Sequence, residues 1–414
     1  MKPRHLRPGD LPGVLPPGGL TLVSASPAES DLLVAEVAAA GPALGAMRFS
    51  GIFVPGLNKA TWSAGPEASI LTFFQTPELK REGQRSRFLP LCYHDILRHY
   101  RRNPPAAALM MCSPPDENGH CSFGAETAFI AALWPEIPVR IAHINPLMPR
   151  TPGDPGIPFS KLTGYFESAQ PLRTMNGGTD AISEAIAALI APFVPDGATL
   201  QTGLGKIPDA VLRALGGHRG LRLHSGLIGD GALALVRSGA MAAGPSALAG
   251  VAIGSAELYA GLDHPHFQFR PVTVTHDPAA LARIDKLVTI NSAMEVDLYG
   301  QVHAEASSRG FMSGPGGAGD YARGARASDG GLRIIALPSS AGSSSRIVPA
   351  AAGHGPVSLS RFDVDLVVTE NGVADLRDLG HDQRAQALIS IAAPSHREGL
   401  ARGWRDSMNA LKEQ

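Results

Sequence analysis

The sequence predicts an α/β protein made of two open, mostly parallel sheets with flanking helices. Three observations carry that prediction. Continuous apolar runs recur along the chain, as in Ala106–Cys112 and Leu287–Ile290. Strands covered on both faces of a parallel sheet read in this way. Helical stretches alternate with the runs, which is the pattern of strand–helix–strand units. The strand–turn–helix grammar breaks at Gly177 and Gly178 and restarts after Pro192 and Pro195, so two similar halves fit within 414 residues. We place them at residues 1–184 and 185–414.

In the first half Leu20–Ala25 reads as a short strand, and Ser26 and Pro27 open a helix to about Ala40. Met47–Val54 is a strand that Pro55 and Gly56 end. Leu71–Phe74 and Leu89–Leu91 are short strand candidates, and His94–Arg102 reads as a helix. Ala106–Cys112 is a continuous apolar run closed by Ser113, Pro114 and Pro115.

Residues 174–184 read as the crossing between halves, where Asp180 caps a helix over Ala181–Ile190. Ala198–Gln201 is a strand, Gly203–Pro208 a glycine turn and Asp209–Leu215 the start of a helix. Further strands are expected at Leu221–His224, Val272–His276, Leu287–Ile290, Leu332–Leu337 and Val364–Thr369. One echo links the halves. An apolar strand ends at Ser113 with Asp116 three residues on and Gly119 beyond; another ends at Ser292 with Glu295 three residues on and Gly300 beyond.

Composition excludes several classes. With 44% hydrophobic and 18% charged residues the chain can bury a sizeable core. The formal net charge of -1 and the absence of any Lys/Arg run leave no electrostatic footprint for nucleic acid. Cys92, Cys112 and Cys121 are too few, and odd in number, for a disulfide framework, which points to a reducing, cytoplasmic compartment. Cys112, His120 and Cys121 match no zinc spacing, so no metal is expected. The N-terminus lacks the apolar core of a signal peptide, and no run approaches the ~20 apolar residues of a membrane span.

Glu295 is the residue around which these elements are arranged. It follows Asn291 and Ser292 at the end of a buried strand, between Met294 and Val296. Ligands of open α/β sheets sit at the carboxyl ends of strands. The alternative is a solvated residue on an edge hairpin, Glu295–His303, with alternating side chains.

NSAMEVDLYGQV at 291–302 resembles the active-site segment of the acetyl-CoA hydrolase/transferase family, which includes 4-hydroxybutyrate and succinate:acetate CoA-transferases. The resemblance runs over nearly the whole chain, in order. It includes SPPDENGHCSFG at 113–124, INPLMPRTPGD at 144–154, QTGLGKIPDAV at 201–211 and LHSGLIGDGALALVRSGAM at 223–241. It continues through IIALPSSAGSSSRIVP at 334–349, SRFDVDLVVTENGVADLRDL at 360–379 and RAQALISIAAP at 384–394.

The resemblance implies a fold of the NagB/RpiA/CoA-transferase type with the active site between its two domains. It implies Glu295 as a nucleophile that forms a glutamyl-CoA thioester, in a ping-pong exchange of CoA between short carboxylic acids. No cofactor is bound permanently, because coenzyme A enters as acyl-CoA substrate alongside a small carboxylic acid. A homodimer or homotetramer follows, with no nucleic-acid or membrane partner. Val272, Thr273, Val274, Thr275 and His276 match a stretch that contacts CoA, and Ile347 and Gly372 match two further contacts. Gly314, Gly316 and Gly317 let backbone amides converge on an anion or carbonyl oxygen near the glutamate. The alternative for that loop is a mobile surface loop. His276, Arg346 and Arg361 can offer charge to the CoA phosphates, or else form surface ion pairs.

Two glutamates compete with Glu295: Glu370, in a TENG segment similar to the nucleophile signature of the 3-oxoacid branch, and Glu305 beyond the hairpin. Gly226 stands where relatives often carry a glutamate, a departure that removes one competing carboxylate and bears on acyl specificity. Gly203-Leu204-Gly205 lacks the third glycine and distal acid of a dinucleotide loop, and reads as a tight turn beside the cleft or a plain strand–helix turn. An acyl-CoA hydrolase working through Glu295 is the first functional alternative. A CoA- or sugar-phosphate-binding protein without catalysis is the second.

Overall fold

Parallel strands dominate both compact units of the computed structural model, which describes residues 2–175 and 177–412. Asn176, in the expected crossing, lies outside the described residues, as do Met1, Glu413 and Gln414. One unit comprises residues 1–176, 225–227 and 244–277, and the other residues 177–224, 228–243 and 278–414.

The first unit contains β1 (Leu20–Val23), β2 (Arg48–Gly51), β3 (Ser69–Thr72), β4 (Ser86–Phe88), β5 (Ala107–Cys112), β6 (Val139–Ile144) and β7 (Gly164–Glu167). With Arg4–His5 they form an eight-stranded sheet in the order Arg4–His5, β7, β6, β5, β1, β2, β3, β4. Every pairing is parallel. Val23, Phe49, Ile70, Leu109, Ile141 and Phe166 from six of these strands join Leu33 and Val37 of α1 (Asp31–Ala40) in one buried cluster. That burial explains the continuous apolar runs.

The second unit contains β8 (Thr199–Thr202), β9 (Arg222–Ile228, shared with the first unit), β10 (Leu287–Ser292), β11 (Glu295–Asp297), β12 (Val302–His303), β13 (Leu332–Ala336), β14 (Ile347–Val348), β15 (Leu366–Thr369) and β16 (Gly372–Asp375). Its main sheet runs β9, β8, β10, β13, β15, β16, parallel except for the final β15–β16 hairpin. The order β7-β6-β5-β1-β2 in one unit repeats as β15-β13-β10-β8-β9 in the other. The echo between Ser113 and Ser292 therefore sits on strands of equivalent place, β5 and β10. In each unit the chain leaves a central strand to one side and later returns on the other, which creates a switch point at the carboxyl ends of β1 and β5 and of β8 and β10.

Several local expectations shift. Asp180 does cap α2 (Ala181–Ile190), accepting from Ser183 N at 2.9 Å. The helix expected from Ser26 is instead a 3₁₀ turn at Ser26–Ala28 followed by α1, because Ser30 Oγ accepts from Leu33 N and restarts the helix. The strand expected at Leu89–Leu91 lies earlier, as β4; Pro90 removes a ladder donor and Leu91 N folds back to Leu89 O. Val272–Thr275 is a short helix and not a strand. Its β-branched residues misled the pattern. Pro271 O accepts from Val274 N and Thr275 N, and the strand of this region is Phe267–Phe269.

Candidate active site

β10 ends beside β8 at the switch point of the second unit. The pair is held there by two reciprocal amide bonds, Asn291 Nδ2 to Gln201 Oε1 at 2.9 Å and Gln201 Nε2 to Asn291 Oδ1 at 3.2 Å. Beyond Ser292 the chain turns into β11. Glu295 pairs antiparallel with His303 of β12, and Val296 pairs parallel with Ile347 of β14. The hairpin weighed as the plain alternative thus exists, yet Glu295 is not solvated on it. Its side chain keeps 13% of its exposure, while Val296, Leu298 and Val302 are buried in the core below.

One residue holds both carboxylate oxygens. His354 donates its backbone N–H to Glu295 Oε2 at 2.8 Å, and its Nδ1 lies 2.8 Å from Oε1 and 3.0 Å from Oε2. Asp297, fully buried, builds the platform. Its carboxylate accepts from Tyr299 N, Gln301 N and Gln301 Nε2 within the hairpin, and from Ala351 N of the His354 loop at 3.0 Å. The same loop packs on the His303 ring at Gly353, where a Cβ would stand 2.2 Å from it.

Glu295 lines a cavity of about 350 Å³ with Met294, Ser307, Arg309, Met312, Ser344 and Arg346 among its neighbours. Arg346 also lines a second cavity of about 240 Å³, with Ser292, Ala293, Ala336, Pro338 and Lys206. The second cavity thus sits on the carboxyl ends of β10 and β13. The cavity is thus lined by one carboxylate residue and two arginines, with serines and methionines among the rest. It can hold one acyl carbon against Glu295 and balance the charge that develops.

The rival carboxylates are differently placed. Glu370 accepts from Ser339 N at 2.9 Å and Ser339 Oγ at 2.5 Å, and Ser339 O in turn accepts from Arg346 N. It therefore braces Ser339, which holds the backbone at Arg346. Glu305 is 3% exposed, and burial raises its carboxyl above the usual range. Ser358 Oγ donates to Oε1, while Oε2 has no partner among the described residues. In the first unit the place of a side chain at Gly226 is filled, since a Cβ would stand 2.4 Å from the His276 ring.

The residues implied for CoA fall in separate places. Val272–Thr275 and His276 belong to the first unit, where the buried His276 Nδ1 lies 2.8 Å from Thr275 Oγ1. Ile347 stands beside the Glu295 strand, but its side chain is fully buried. Gly314, Gly316 and Gly317 lead into α3 (Ala318–Ala327), and the cavity wall stops short of them at Met312. Gly372 opens β16 with φ +142°. Arg361 stacks over the Phe362 ring at 4.7 Å and does not line either cavity.

Residues 254–403 match the acetyl-CoA hydrolase/transferase C-terminal domain. A 4-hydroxybutyrate coenzyme A transferase of Clostridium kluyveri is 37% identical over 85% of this chain and 81% of that protein. The chain belongs to the acetyl-CoA hydrolase/transferase family. With it the chain belongs to the CoA-transferases. The fold agrees: RipA from Yersinia pestis superposes with TM-score 0.90 at 26% identity, covering 98% of both chains. A 4-hydroxybutyrate CoA-transferase from Porphyromonas gingivalis gives TM-score 0.79 at 30% identity, covering 98% of both chains. Among the described residues no cluster of three or more metal-ligating side chains occurs, and no helix is long and apolar enough to cross a membrane.

Within this family member, His354 and Arg309 escaped the sequence reading. Both carried a faint signal. His354 stands between Gly353 and Gly355, and Arg309 before Gly310, where a glycine-framed polar residue marks a held turn.

Proposed function

We propose that the chain moves CoA between an acyl-CoA and a short carboxylic acid through a glutamyl-CoA thioester at Glu295. The observation that carries this reading is the nearly enclosed Glu295 carboxylate on the wall of a cavity that also holds Arg309 and Arg346. The carboxylate attacks the thioester carbonyl, the carbon–sulfur bond breaks, and a mixed anhydride and CoA thiolate result. The thiolate then attacks the glutamyl carbonyl and displaces the first acid. The second acid reverses both steps, so the thioester energy is conserved. His354 N–H supports the step by keeping one glutamyl oxygen fixed while the other reacts. Val272–His276, Ile347 and Gly372, which match family contacts, and Gly314, Gly316 and Gly317, whose backbone amides can converge on an anion, are kept as the CoA-contacting set.

We read the chain as domains 1–184 and 185–414, because the strand order of the first half starts again at β8. Three free thiols support a reducing, cytoplasmic compartment. A homodimer or homotetramer follows from the family resemblance alone. The test is steady-state kinetics on variants with intact circular dichroism. Wild type should show ping-pong patterns and Glu295→Ala should lose transfer. Glu295→Asp withdraws the nucleophile by a methylene and should fall about 100-fold, the cost of a ~1 Å misplacement. Retained activity in Glu295→Ala together with loss in Glu370→Gln would move the nucleophile to Glu370.

A further inference from the structure

We propose that His354 is a second catalytic residue, whose main-chain N–H and Nδ1–H together stabilise the oxyanion that forms on the glutamyl carbonyl of Glu295. The inference rests on Glu295 as nucleophile. Its starting point is an asymmetry between the two carboxylate oxygens. Oε2 lies 2.8 Å from His354 N and 3.0 Å from His354 Nδ1, whereas Oε1 lies 2.8 Å from Nδ1 and has no bond to the main chain of His354. An ionised carboxylate only accepts hydrogen bonds, so Nδ1 carries a hydrogen. Oε1 is therefore the oxygen that attacks, and Oε2 the one that stays as the carbonyl oxygen.

The same donors act differently in successive steps. When Oε1 attacks the acyl-CoA carbonyl, the carboxylate loses charge, and donors to it stabilise the reactant more than the transition state. The CoA thiolate next attacks the glutamyl carbon. A carbon–sulfur bond forms and an electron pair moves onto Oε2. The tetrahedral oxyanion then re-forms its carbonyl and expels the first acid, which leaves with Oε1. Charge grows on Oε2 in this step, and both donors already stand within the roughly 2.7–3.1 Å at which a preorganised donor acts. The step recurs when the second acid attacks the glutamyl thioester, so His354 serves both half-reactions.

The loop is built to hold these donors in place. Ala351 N donates to the buried Asp297 carboxylate at 3.0 Å, and Asp297 lies on the strand of Glu295 itself. Nucleophile and donors are thus tied to one platform. Ala351 takes φ +56°, a left-handed value that persists in a non-glycine residue where the surroundings over-determine the backbone. Gly353 lies against the buried His303 ring. The His354 side chain is 48% exposed, so its aim at Glu295 comes from this anchored loop.

The test isolates attack on the glutamyl carbonyl. The enzyme–CoA adduct is formed with acetyl-CoA, freed of excess substrate and treated with hydroxylamine, whose attack passes through the same oxyanion; release of CoA gives the rate. His354→Ala keeps the main-chain donor, removes Nδ1 and should be cleaved roughly 100-fold more slowly than wild type. His354→Asn offers an amide N–H in place of Nδ1–H and should recover most of that loss. In steady-state transfer kcat should fall in His354→Ala with no rise in KM for acetyl-CoA. An unchanged cleavage rate in His354→Ala overturns the inference. So does a loss that His354→Asn leaves unrecovered, or a raised KM with unchanged kcat, which assigns His354 to substrate binding. Peptide mapping keeps the two readings apart. A wild-type adduct at Glu295 with unchanged cleavage in His354→Ala sinks this inference alone. A wild-type adduct outside Asn291–Val302 sinks the nucleophile, and this inference with it.

Discussion

Glu295 takes both of its donors from His354, so its geometry depends on a loop 59 residues away and not on its own hairpin. A second carboxylate is governed by its burial. Glu126 is buried in the first unit, its oxygens accept from Ala25 N at 3.1–3.2 Å, and burial raises its carboxyl well above the usual 4.5. Folded-state pKa above the unfolded value means that stability is complete below pH 4.5 and declines as pH rises toward the folded value. Glu126→Gln keeps the acceptor for Ala25 N–H and removes the titration. Urea unfolding from pH 5 to 8 should find the variant progressively more stable than wild type, with the gap closing toward pH 4.5. A constant gap would mean that Glu126 is ionised throughout.

At the scale of elements, caps and turns decide where structure starts, and this is where the sequence was most and least legible. Asp180 before an apolar-periodic stretch gave the α2 boundary, because a short acceptor side chain can satisfy only the amides just beyond it. Ser30 does the same for α1, but Ser26-Pro27 offered a competing start, and only tertiary contacts decide between them. Ser30 Oγ also lies 2.9 Å from the buried His143 Nδ1. Ser30→Ala should therefore remove a cap and leave a buried ring nitrogen unpaired, costing about 2–3 kcal/mol in a urea titration. A loss below ~0.5 kcal/mol would show that the helix start is fixed by packing alone. The Val272–Thr275 helix was illegible because β-branched composition signals strand, while the outcome was set by Pro271 and its carbonyl. His354 was illegible for a related reason. Its contact with Glu295 spans 59 residues of chain, and no local pattern records it.

At the scale of the whole molecule the repeated strand order is what makes Glu295 conspicuous. A switch point follows from connectivity, connectivity from the alternation of apolar runs and helices, and that alternation is visible in the sequence. What the sequence did not show is the content of the cavity, since Arg309, Arg346 and Glu295 come from separate turns. The measurement that tests the central claim most directly is mass spectrometry of the protein after incubation with acyl-CoA and no acceptor. The expected result is a covalent CoA adduct that borohydride reduces, with the modified peptide within Asn291–Val302 and neither borohydride nor hydroxylamine inactivating protein that has not met acyl-CoA. Modification at Cys92, Cys112 or Cys121, or no adduct together with intersecting-line kinetics, would contradict it.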